Sequence, residues 1–153
     1  MKRRSDPVPQ RLHRKIGADL FNYTWSLLDR GRRTREENDE MIHAAHASRY
    51  HWGQAGRDLN RSIAEWQISR VYAVLGREEP SRYHAHRALE LARRGRLAPF
   101  YEAYAYEALA RATAVARKPK ETKRYLEKAQ LIGRRIRNRD DRRMLDEDLA
   151  SIH

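Results

Sequence analysis

Apolar residues recur along this chain at spacings of three and four, and nowhere do they alternate with polar ones as a half-buried strand requires. The stretch "DEMIHAAHASRYHW" shows the rule. At 100° per residue, Met41, Ala45, Ser48 and Trp52 share one face, while Glu36, Asp39, His43, His46 and Tyr50 share nearly the opposite one. At the far end, Met144, Leu145, Leu149 and Ile152 form an apolar face and Asp146, Glu147 and Asp148 a polar one. Pro80, Pro99 and Pro119 each begin a segment of this kind, where a missing N–H costs nothing, and the glycines at 31, 53, 76, 95 and 133 fall where segments end. Thr34 followed by Glu37 is a capping box. The pattern predicts seven helices, over about 10–31, 35–53, 59–76, 80–94, 99–117, 120–136 and 140–152, and an all-α fold.

Helix pairs joined by short turns build a solenoid when they repeat. Sliding the chain by 41 residues places Ala64, Arg70, Ala73, Val74 and Ala88 on Ala105, Arg111, Ala114, Val115 and Ala129, and Ile68, Ser81 and Leu91 on Leu109, Thr122 and Ile132. A shift the other way sets Trp25 under Trp66, Leu27 under Ile68, His43 under His84 and Ala47 under Ala88. The expected organisation is a basic N-terminus over residues 1–9, then a single helical domain over 10–153 made of three hairpins closed by a terminal helix.

The central unit, "AEWQISRVYAVLGREEPSRYHAHRALELARRG", resembles a tetratricopeptide repeat (TPR). Trp66, Ile68, Tyr72 and Gly76 stand close to that motif's first-helix positions, and Ala88 and Leu89 match its second helix. The 41-residue period exceeds the motif's usual spacing of about 34. The resemblance covers residues 10 to 136 and is specific over 64 to 92. It implies a right-handed stack of antiparallel helix pairs whose first helices line a groove for a peptide or protein segment, and it carries no catalytic residues.

Composition narrows the alternatives. The 153 residues include no cysteine, so neither a disulfide nor a thiolate metal site can form. The longest apolar runs are far short of the roughly 20 residues that cross a bilayer, and "MKRRSDPVPQ" lacks the apolar core of a signal peptide. The expectation is a cytoplasmic protein without a membrane partner. The net charge of +12 is uneven: residues 1–35 carry +7, residues 36–116 carry 0, residues 117–143 carry +8 and the last ten carry −3. Arginine supplies 27 of the 33 cations, which fits a high-GC coding sequence as well as a phosphate-binding surface.

Three function classes follow. The first is a non-catalytic scaffold that binds a protein or peptide, needing no cofactor, with Glu65, Ser69, Tyr104, Glu107 and Arg111 as groove contacts and Glu107 within reach of Arg111 one turn on. The second is binding of nucleic acid or an acidic surface through the basic ends, including Lys2, Arg3, Arg4, Arg11, Arg14 and "RRIRNRDDRR". The third is a metal or hydrolytic site on Asp39, His43 and His46, flanked by Tyr50. Glu40 and His43 copy half of a di-iron helix motif, but no second Glu-x-x-His exists, so no metal is assigned. Asp39 is placed to orient His43 as a base, yet spacing assigns it no nucleophile. Tyr101, Tyr104 and Tyr106 point to three faces, which suits helix packing better than a base-stacking platform. Exposed aromatics such as Trp52 leave a homodimer open.

Overall fold

The computed structural model describes residues 7–153; Lys2, Arg3 and Arg4 of the basic N-terminus lie outside them. Among the described residues the chain is all-α: α1 (Gln10–Leu28), α2 (Arg35–Ala55), α3 (Asp58–Val74), α4 (Glu78–Arg94), α5 (Pro99–Val115), α6 (Pro119–Gly133) and α7 (Arg139–Ala150). No helix among them is long and apolar enough to cross a membrane. The Thr34 capping box forms both of its bonds, Glu37 N–H to Thr34 Oγ1 at 3.1 Å and Thr34 N–H to Glu37 Oε2 at 2.9 Å. Pro99 and Pro119 open their helices, whereas α4 starts two residues before Pro80. α1 stops at Leu28, earlier than the periodicity suggests, because the Arg33 guanidinium folds back and donates to the Leu27, Leu28 and Arg30 carbonyls at 3.1, 3.3 and 2.9 Å. Leu27 O also accepts from the Arg30 N–H at 3.3 Å, and Arg33 completes the capping of carbonyls that the last turn leaves open.

Short connections force neighbouring helices to run antiparallel. α1 packs on α2, α3 on α4 and α5 on α6; the second helix of each pair then packs on the next odd-numbered helix. α1, α3, α5 and α7 also touch in series, while no two of α2, α4 and α6 approach one another closely. α5 sits at the centre, against α3, α4, α6 and α7. Its residues 103–110 are all buried, as expected of a helix that is apolar on every side. Five of its buried side chains are alanine, which lets its neighbours approach closely. One core joins α4 to α7 through Leu89, Leu109, Leu145, Leu149 and Ile152, and a second joins α1 to α3 through Leu27, Met41, Ile68 and Val71. Each such buried aliphatic side chain contributes about 2 kcal/mol of transfer free energy.

α3, α4 and α5 end alike. Arg77 N–H reaches Tyr72 O at 2.9 Å, Leu97 N–H reaches Ala92 O at 2.9 Å, and Lys118 N–H reaches Thr113 O at 3.0 Å. Each closure turns on a residue with positive φ: Gly76 (72°), Arg96 (48°) and Arg117 (55°). Glycine takes this conformation freely, but at an arginine the Cβ crowds the following carbonyl. Arg96→Gly and Arg117→Gly are each expected to raise stability by about 0.5–1 kcal/mol, seen as a higher urea midpoint at unchanged slope.

Candidate functional site

The face shared by α1, α3, α5 and α7 holds a groove of about 480 Å³. Its walls are Trp25 from α1, Ile63 and Trp66 from α3, Phe100, Tyr101 and Tyr104 from α5 and Met144 from α7, with Arg70 and Asp148 as its charged members. The aromatic rings engage one another along their edges: Trp66 meets Tyr104 at 85°, Phe100 meets Tyr101 at 83°, and Trp25 tilts against Trp66 at 38° with centroids 5.7 Å apart. Met144 is left 45% exposed at the rim.

Beneath the aromatics lies a closed polar network centred on Glu107, which is fully buried. Its Oε1 accepts from Arg70 at 3.0 Å and from Arg111 Nε at 2.7 Å, and its Oε2 accepts from the Trp66 indole N–H at 3.1 Å. Arg111 extends to the Asp148 carbonyl and the Ser151 hydroxyl, each at 3.2 Å, and Arg70 lies 3.8 Å from the Asp148 carboxylate. Two arginines face two carboxylates, so the network is neutral and a buried charge is nowhere left alone. The Tyr104 hydroxyl donates to Asp148 Oδ2 at 2.7 Å. Burial, reinforced by that hydrogen bond and the Asp148 charge, pushes the Tyr104 phenol far above its ordinary value, so it stays a neutral donor.

A second cluster lies between α2, α3 and α4. The Glu65 carboxylate accepts from Arg49 Nε at 2.8 Å and lies 2.6 Å from His84 Nδ1. The His46 ring nitrogen lies 2.8 Å from the Tyr72 hydroxyl, and Tyr72 stacks on His84 at 14°. Burial alone would raise the Glu65 carboxyl, but the hydrogen bond and charge of His84, with the Arg49 guanidinium, outweigh it and hold the group below its usual range. Its stabilising contribution is therefore present above about pH 4.5 and lost as pH falls through the folded value. Burial, followed by the nearby His84 charge, lowers His46 below 6.5. The unfolded chain then takes up a proton more readily than the folded one. The His46 contribution is complete above about pH 6.5 and shrinks as pH falls through the depressed folded value. His46→Gln is expected to flatten the loss of stability between about pH 7 and pH 5, measured by urea midpoints across that range.

The residues singled out by sequence are distributed over both regions and beyond. Asp39, His43 and Tyr50 are exposed on α2, and among the described residues no hydrogen bond or ion pair joins Asp39 to His43. His46 alone of that stripe turns inward. Among the described residues no group of three or more His, Asp or Glu side chains is placed to hold a metal ion. Ser69 is sealed in the α3–α4 seam, donating to the Ser81 carbonyl at 2.7 Å. Glu65 belongs to the cluster with Arg49 and His84. Tyr104, Glu107 and Arg111 come together at the groove and its floor, with Glu107 and Arg111 paired as their spacing suggests.

Sequence reading passed over Trp25, Ile63, Phe100, Met144 and Asp148 as groove residues. The signal for two of them is present: Trp66 and Glu107 stand 41 residues apart, and the same step leads back to Trp25 and on to Asp148. Asp148 also sits four residues after Met144, on the inner side of α7, and so does not join Asp146 and Glu147 on a single outer face. Comparison with known proteins finds no matching family model, no matching curated protein and no matching solved structure.

Proposed function

We propose that this chain is a non-catalytic binding module, a TPR-like right-handed stack of three helix hairpins capped by α7, that takes a peptide or protein segment in the groove between its odd-numbered helices. The observation that carries the reading is the uncovered apolar slot with Met144 at its rim. Its charged groups already satisfy one another through Glu107 and Asp148, so a ligand gains by filling it with apolar side chains and has no unpaired charge there to meet. Large side chains anchored in such pockets carry most of the energy of peptide recognition. The odd-helix contact series supports the same reading, because an elongated face built from successive helices suits an extended segment.

The test is selection of peptides from a random twelve-residue display library on the wild-type chain and on Met144→Glu, which puts a charge at the rim while keeping a helix-forming residue on α7. Peptides rich in large apolar residues, enriched on wild type and at least tenfold weaker on the variant, support the groove as the site. Equal enrichment on both places binding elsewhere.

A further inference from the structure

Next to the apolar groove lies a second hollow of about 750 Å³. Phe100 belongs to both, and Asp141 of the second hollow shares one side of α7 with Met144 and Asp148 of the first, at i, i+3 and i+7. The two hollows thus adjoin between α5 and α7, and along the helix axis Asp141 of the second stands about 4.5 Å from Met144 and about 10 Å from Asp148 at the far side of the first. Their chemistry differs sharply. The second is lined by Arg134, Arg135 and Arg137 of the α6–α7 connection, all exposed, and among the described residues none of the three guanidinium groups has a hydrogen-bond or ion-pair partner.

Among the described residues, ion pairing is uneven along the chain, dense in its middle and sparse towards its ends. Eight of the eleven arginines in residues 36–116 are ion-paired, against two of the twelve Lys and Arg in residues 117–143. Most arginines in the middle of the chain are given a carboxylate; this hollow holds only Asp141, which leaves its lining with a surplus of two positive charges.

We propose that the partner of the groove is a peptide with an apolar anchor and, about three residues away, a run of Asp or Glu seated on Arg134, Arg135 and Arg137. This rests on the groove reading above and adds the partner's chemistry to it. The apolar end fits the slot, and the acidic end meets guanidinium groups free to take carboxylates in bidentate pairs. The spacing follows from the distance to the far side of the groove, because an extended chain covers about 10 Å in three residues. A single-stranded nucleic acid would also bring negative charge, but it gains its remaining affinity by laying bases flat on aromatic faces. Here the groove's rings pack on one another at 38°, 51°, 83° and 85°, so none of these pairs forms a parallel stack.

The test extends the display selection to a variant carrying Arg134→Gln, Arg135→Gln and Arg137→Gln, whose exposed side chains leave the core untouched. Wild type is expected to enrich peptides with acidic residues three or four positions from the apolar anchor. The triple variant is expected to keep the anchor, lose the acidic preference and bind the wild-type peptides about tenfold more weakly at low salt. Apolar enrichment without acidic residues on both proteins overturns this proposal and leaves the groove reading standing. Absence of any enrichment that Met144→Glu removes overturns both. A labelled twelve-nucleotide oligothymidylate is titrated in parallel; binding tighter than that of the selected peptides and abolished in the triple variant overturns the peptide as the hollow's occupant.

Discussion

Glu107→Ala is expected to destabilise the fold by about 3–5 kcal/mol, lowering the thermal midpoint by roughly 10 °C in a chain of this size. The carboxylate is fully buried and accepts from Arg70, Arg111 and Trp66 at once. Removing it leaves two guanidinium groups, with side chains only 19% and 17% exposed, beside each other with Asp148 as their one nearby carboxylate. The loss measures the strain of unpaired charge more than the intrinsic worth of the ion pairs, since burying the carboxylate is itself costly. Glu107→Gln keeps an acceptor for the Trp66 indole and is expected to fall between wild type and alanine. Trp66 emission should shift to the red in the alanine variant, because its N–H loses the partner that fixes the ring in the groove wall. A change below about 1 kcal/mol for Glu107→Ala would mean the network is not what holds α3 to α5.

Leu145→Ala is expected to cost about 2–5 kcal/mol, and the loss should appear mainly in α7. Leu145 is fully buried against Gly133, where a Cβ would stand only 2.7 Å from its Cδ2. α7 packs its backbone on α5 and α6 at the end of the stack and reaches α3 only through the Arg70–Asp148 pair, so it can open while the rest stays folded. Hydrogen exchange over residues 139–150 should accelerate about thirtyfold or more, with little change in α3 and α4. Since Met144 and Asp148 ride on the same helix, any peptide selected on the proposed groove should weaken in parallel. Gly133→Ala alone overpacks this contact and is expected to cost about 1–3 kcal/mol, but in the Leu145→Ala background it should cost less, because the added methyl enters vacated space. Additive losses would show that the two residues do not share the contact.

The elements themselves were legible because their signals are local. The Thr34–Glu37 box, the prolines at 99 and 119 and the 3.6-residue periodicity each act within a few residues, and each is realised. The end of α1 is not legible in the periodicity, because Arg33 caps its last carbonyls from beyond the helix. Contacts one turn apart, such as Glu107 with Arg111, were readable for the same reason. The partners of Glu65 were not: Arg49 is 16 residues away and His84 is 19, and only the packing of α2 and α4 on α3 brings them together. The groove was half visible. Tyr104, Glu107 and Arg111 share one helix, α5, at readable spacings, whereas Trp25 and Met144 come from near the two ends of the chain and meet there only because the odd-numbered helices stack.

The lack of close approach among α2, α4 and α6 has a mechanical meaning. Bending the row of odd-numbered helices changes the spacing of the outer ones without prising apart any packed surface between them. Stiffness against such bending resides in the seams between successive helices and in the Glu107 network, which ties α3 to α5 and, through Arg111, to α7. The molecule is built like a leaf spring clamped at its inner edge: compliant enough to adjust its curvature to what lies along it, and stiffest at the rung where four residues of one 41-residue ladder, Trp25, Trp66, Glu107 and Asp148, come into register.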